Sequence, residues 1–400
     1  MMRLYLLCLL ACTPVWAGIW DIDRPDDAAL QDVIAILGGR FDQPTPDYYR
    51  ARLNRTRPQI EALPSPPTDA DLPRMLEALP LFDDAAIALM RLGEFNDAII
   101  LLDRKVLCAQ QVKALNTAQG RLHHIRALAN KAACLHARFQ RDGTRDDLTL
   151  ARTTLRELLE MDTYNADAFF ALEEVAWLLN PPTYKGDLGQ PFPNLLDFGY
   201  RQVTVTRGQG ALAQFGRAGA IVHLCRRIVH GGGWQDVDVL HALSLALWVE
   251  GRDEESITAW LRVNELSAAG ATSRVLSAPA NPAAAMSAHL GEMANTATQQ
   301  SLFNEIRAAA ETWVTERNAY ATERIKQGQH PDTDPAFWNS FGVAPLPQPG
   351  IPGPEPEPPP VSTTFVIGGL AAFLVMLFVM GAMALHIGRR HPKAPTVDEV

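Results

Sequence analysis

Residues 80–107 read PLFDDAAIALMRLGEFNDAIILLDRKVL. Apolar residues recur at three- and four-residue spacing on either side of Gly93, which predicts two amphipathic helices joined by a tight turn. The first helix runs to about Leu92 and the second starts near Asn96. Along these helices Ala86 and Ala98 are small and Leu89 and Leu102 bulky, and alanine at such points lets helix axes approach closely. Composition agrees. Ala and Leu are abundant and alternating β-branched runs are nearly absent, so the fold class is all-α.

The same pattern returns at residues 237–269, VDVLHALSLALWVEGRDEESITAWLRVNELSAA. Leu240, Leu243, Ser244, Leu247, Gly251, Ser256 and Trp260 hold the corresponding positions. Residues 121–165 give a weaker copy with Ala151 and Leu155 in register, and its turn, QRDGTRDD, reads as too long. Residues 166–179 read as the first helix of a further unit, with Glu173 where a small residue is expected. These spacings, with Ala86 and Ala98 at the small positions and Leu89 and Leu102 at the bulky ones, resemble the tetratricopeptide repeat, a helix–turn–helix unit of about 34 residues. The resemblance covers about a third of the chain well and another third loosely. It implies a TPR-like α-solenoid whose concave groove binds peptides or helices of partner proteins.

An N-terminal helical segment over 18–79 precedes the repeats of 80–179. In it Asp26 and Asp27 read as caps, Gly38-Gly39 as a stop and Pro46 as a first helical residue, while Tyr48, Tyr49 and Leu53 mark a core face. A loop over 180–202 interrupts the array, with four prolines and three glycines between Asn180 and Gly199. It is either a packed connector or a partner-contact loop, and Tyr184, Phe192 and Phe198 are its candidate contact residues. Residues 203–341 supply further TPR-like helices. One runs over 210–230 to Gly231-Gly232-Gly233, and a capping helix carries Leu302, Phe303, Ile306, Ala310, Trp313 and Tyr320 on one face.

The chain ends set the topology. Phe365–Leu385 is an uncharged apolar run of about 21 residues, long enough to cross a bilayer, which places a single transmembrane helix over 365–387. Arg389, Arg390 and Lys393 follow it, so the tail of 388–400 is cytoplasmic and the rest extracytoplasmic, periplasmic in a Gram-negative envelope. Residues 1–17 read as a signal peptide cleaved after Ala17; the rival reading is a lipoprotein box ending at Cys12. The linker of 342–364 contains nine prolines within 345–360 and reads as an extended spacer of roughly 50 Å.

Chemistry-bearing motifs are scarce. A net charge of −9 with scattered basic residues argues against nucleic acid. Cys108 and Cys134 fall on neighbouring helices, so either they pair and leave Cys225 alone or all three are buried thiols. His123-His124 point to different helix faces; His223 and His230 share one, without Cys225. Glu173-Glu174 reads as solvated helix charge. No catalytic, cofactor-binding or metal-binding residue is assigned, and no cofactor. The reading is a non-enzymatic, membrane-anchored scaffold for a protein or peptide partner. The alternative is an all-α enzyme or cofactor-handling protein with a site under the 180–200 loop, marked by a deep pocket of convergent acids or histidines. A third reading is assembly of a membrane complex through the span, where Gly368 and Ala372 form a small-residue pair.

Overall fold

The computed structural model describes residues 21, 23, 30–64, 69–115, 117–180, 195–196, 206–273, 296–342 and 346. Every regular element among them is helical. The α-helices are α1 Val33–Gly38, α2 Pro46–Glu61, α3 Leu72–Arg91, α4 Phe95–Leu115, α5 Thr117–Asp142 and α6 Arg145–Met161, then α7 Ala166–Leu179, α8 Ala211–Gln214, α9 Ala220–Val229, α10 Val237–Val249, α11 Asp253–Ala268 and α12 Thr296–Lys326. No helix among the described residues is long and apolar enough to cross a membrane. The apolar run, the proline-rich linker, the tail and the signal segment lie outside the described residues.

From α2 to α7 each helix packs on the next, and α9, α10 and α11 do the same. The hairpin of residues 80–107 has the expected joint. Ala86, Ala98 and Leu102 are fully buried and Leu89 nearly so. Gly93 takes φ 81°, a left-handed conformation that costs glycine nothing, and closes the turn between α3 and α4. In the second hairpin Ser244 and Ser256 meet at the joint of α10 and α11. Each hydroxyl donates to the other's backbone carbonyl at 2.8 Å, so the small residues there are also satisfied polar ones.

Three local readings are corrected. The first helix of the hairpin starts at Leu72, not Pro80; Pro80 lies inside it, because a proline ends a helix by tendency and the packed face continues through it. The turn before α6 is short, since α5 runs on to Asp142 and Gly143, at φ 73°, does the turning. Residues 210–230 form two pieces, α8 and α9, parted by a left-handed Gly216. Asp32 caps α1, accepting from the Ala35 N–H at 2.9 Å; the caps read at Asp26 and Asp27 lie outside the described residues. Pro46 opens α2 and Gly39 ends α1, as the sequence indicates.

Three cores result. One gathers α2, α3 and α4, and includes Tyr48, Tyr49 and Leu53. A second joins α5, α6 and α7. The third packs α9, α10 and α11 around Leu30, Val33, Ile36 and Leu37, so the N-terminal segment fills the C-terminal half. Helix α12 lies against α1, α2 and α11. A Cβ at Gly38 would stand 2.7 Å from the Ile306 side chain, so any larger residue there would force Ile306 to shift where α1 meets α12.

Buried polar groups tie the ends together. Arg52 on α2 is fully buried and bonds Asp23 at 2.8 Å and Asp332 at 2.7 and 2.8 Å. It thereby links residues before α1 to residues after α12. Lys105 on α4 is likewise buried against Asp83 on α3, which accepts from Asn130 on α5 at 2.8 Å. Cys108, Cys134 and Cys225 are free and buried, so the pairing of Cys108 with Cys134 does not form. Burial pushes the Cys134 and Cys225 thiols up to about 12, which keeps them protonated and inert.

Candidate functional site

Helix α9 has two faces. Leu224, Cys225 and Ile228 enter the core. His223, Arg226, Arg227 and His230, at i, i+3, i+4 and i+7, line a cavity on the other side. Helix α5 faces that cavity with Ala129, Ala132, Ala133, His136 and Ala137, and α7 with Asp167, Ala171, Glu174 and Val175. Met90 and Arg91 at the end of α3, Phe95 at the start of α4 and Leu155 on α6 also line it. The cavity has a volume of about 170 Å³. The alanines of α5 create it: side chains this short leave the space that a leucine face would fill.

Two buried ion-pair groups build its polar side. Arg226 donates to both oxygens of Asp167, at 2.7 and 2.9 Å, and the same carboxylate holds His223 Nδ1 at 2.9 Å. The His223 ring stacks on Phe170 with centroids 4.7 Å apart. One step along, Arg227 reaches Glu174 at 3.3 and 3.4 Å, and His136 Nε2 stands 3.5 Å from it. Arginine can only donate, so its 3.3 Å contact makes His136 Nδ1 the acceptor and leaves the ring proton facing Glu174. Burial alone would raise the Glu174 pKa; Arg227 and His136 outweigh it and hold it at about 2. Behind α9, His230 Nε2 meets Asp21 at 2.8 Å. Burial pushes the Asp21 carboxyl up, but His230, Arg52 and Arg91 together bring it below its ordinary value. Arg91 donates to the His230 carbonyl, while its Nε is buried with no partner among the described residues.

Tyr184, Phe192 and Phe198 lie outside the described residues. From the same loop Leu195 and Leu196 are buried in the core of α9–α11. The Glu173-Glu174 reading is corrected: Glu174 is buried in the cavity wall, and Glu173 pairs with Arg217 at 3.1 Å. The reason is that α7 has helices on two sides, α6 and α9, so it has little solvated face. His223 and His230 do share a face, and its neighbours are arginines and carboxylates. His123 is buried elsewhere, its pKa lowered to about 3 by desolvation with the Lys105 and Arg126 cations adding to it. Sequence reading missed Arg91, His136, Asp167, Arg226 and Arg227. The one legible signal was the charged i, i+3, i+4, i+7 row of α9 opposite an apolar row.

No family model matches this chain, and searches of curated proteins and of solved structures found no match.

Proposed function

We propose that this chain is a membrane-anchored, extracytoplasmic scaffold, a TPR-like α-solenoid that receives a segment of a partner protein or peptide. The observation that carries the reading is the run of consecutive helices α2–α7, each packed on the next, with a cavity left where α5, α7 and α9 face one another. Stacked hairpins of this kind present inner surfaces to partners. Residues 365–387 are the anchor, 342–364 the spacer, and 388–400 the cytoplasmic tail. The envelope of a bacterium is the setting. Cross-linking and co-purification of the full chain from membranes tests the reading, with a reporter fused after Val400. A specific partner and a cytoplasmic reporter are expected. A chain that purifies alone after cross-linking, or a reporter outside the cytoplasm, would contradict it.

One observation favours a second reading, that of an all-α enzyme. His223 is held through Nδ1 by Asp167, itself fixed by Arg226, in the manner of an oriented general base. If that reading holds, His223→Gln abolishes a turnover that leaves partner capture untouched.

A further inference from the structure

The walls of the cavity differ in what they offer a guest. Its α5 side is a floor of alanines, and Ala171 and Val175 extend it. Its volume of about 170 Å³ is close to the ~150 Å³ of an engineered apolar cavity that takes up benzene. A guest therefore has an apolar body of about one ring or one large aliphatic side chain.

The rim sets the guest's charge. Three guanidiniums line the cavity, those of Arg91, Arg226 and Arg227, against the two lining carboxylates of Asp167 and Glu174, with the Asp21 carboxylate behind His230 a third within the influence of Arg91. Both lining carboxylates are already engaged on both oxygens: Asp167 by Arg226 and His223, Glu174 by Arg227 and His136. The donors are not used up. Arg91 spends one N–H on the His230 carbonyl, and its buried Nε has no acceptor among the described residues. A buried donor without an acceptor is destabilising, and an anionic acceptor removes that cost. A cationic guest brings no acceptor and a purely apolar one none either, so both would leave the Arg91 donor unmatched.

We infer that the cavity binds an apolar carboxylate, a group of about one ring's size bearing a single carboxylate directed at Arg91. Two sources supply this chemistry: the C-terminal residue of a peptide, or a free small acid. The inference deepens the scaffold reading, on which its peptide source rests.

The test uses the full chain in detergent and four probes, read by calorimetry: benzoate, benzamide, and one short peptide ending in Phe prepared as the free acid and as the amide. At least one acid is expected to bind about tenfold or more tightly than its amide, the loss expected when a charge-assisted bond goes. Benzoate alone identifies a free acid as the source, the peptide acid alone a chain terminus, and both together the shared chemistry. Arg91→Met should weaken the binding acid by about tenfold or more. Ala133→Phe, which puts a ring into the space, should abolish binding and keep the protein folded. The inference is overturned if neither acid binds at concentrations up to about 10 mM, if acid and amide bind equally, or if Ala133→Phe binds as the parent does. Absence of acid binding with partners still co-purifying would sink this inference alone. Acid binding with no partner captured would sink the scaffold and keep the inference with a free acid as guest.

Discussion

The α3–α4 joint and the α7–α9 contact are both buried, and they are built from opposite chemistry. At the first, Ala86 and Ala98 let two helices close with nothing between them. At the second, Asp167 and Glu174 reach across to Arg226 and Arg227, and a cavity remains beside the pairs. Small apolar residues close a joint at no desolvation cost. Buried ion pairs hold helices at a fixed distance, but their mutual attraction only offsets the cost of removing both charges from water. The first joint is therefore a stability device. The second leaves a cavity beside its charges, and the proposed function gives that cavity its use.

The sharpest way to break this comparison is to remove one charge from the second contact. Glu174→Ala leaves Arg227 buried without its carboxylate and should cost about 3–5 kcal/mol of folding stability, measured by urea unfolding. A loss below about 1 kcal/mol would mean that the pair is solvated.

Acid should find the same contact. The Glu174 pKa lies at about 2 in the folded protein, below its ordinary value of 4.5. The unfolded chain binds the proton first, so this contribution is complete above the ordinary value and is lost as pH falls through the folded one. The loss is on the order of 3 kcal/mol and should be absent in Glu174→Gln. Stability curves that run parallel for the two proteins between pH 5 and 2 would refute it.

The apolar joint should respond less. Ala98→Leu forces four-carbon bulk into a fully packed site and should cost about 1–3 kcal/mol in thermal or urea melts. An unmoved midpoint would show that α3 and α4 are not in close contact there. Smallest of the effects, Ser244→Ala removes one of the paired hydroxyl bonds between α10 and α11 and should cost about 1 kcal/mol.

The two contacts also differ in how far the sequence reveals them. Ala86, Gly93 and Ala98 are legible because the joint is local: its residues fall within one hairpin and its spacing follows helix geometry. The same holds for Gly251 and Ser256. The charged contact joins Glu174 to Arg227 and Asp167 to Arg226, more than fifty residues apart across the 180–202 loop. No period encodes such a pairing, and an acid on a helix reads as solvated until its partner is known. Arg52 makes the same point, since its carboxylates come from positions 23 and 332. The boundary drawn at residue 80 falls inside α3: the cost of Pro80 to a helix interior is real, and the packed face of α3 from Met75 to Met90 outweighs it.

The central claim is that the α7–α9 charges serve binding and not stability, and one double variant tests it directly. Glu174→Leu with Arg227→Leu replaces the ion pair by apolar side chains. The account predicts unfolding at or above the stability of the parent protein, because paired removal spares both desolvation costs, together with loss of the partner that the proposed function expects to co-purify with the full chain. A double variant that is as unstable as Glu174→Ala, or that captures its partner as the parent does, would contradict it.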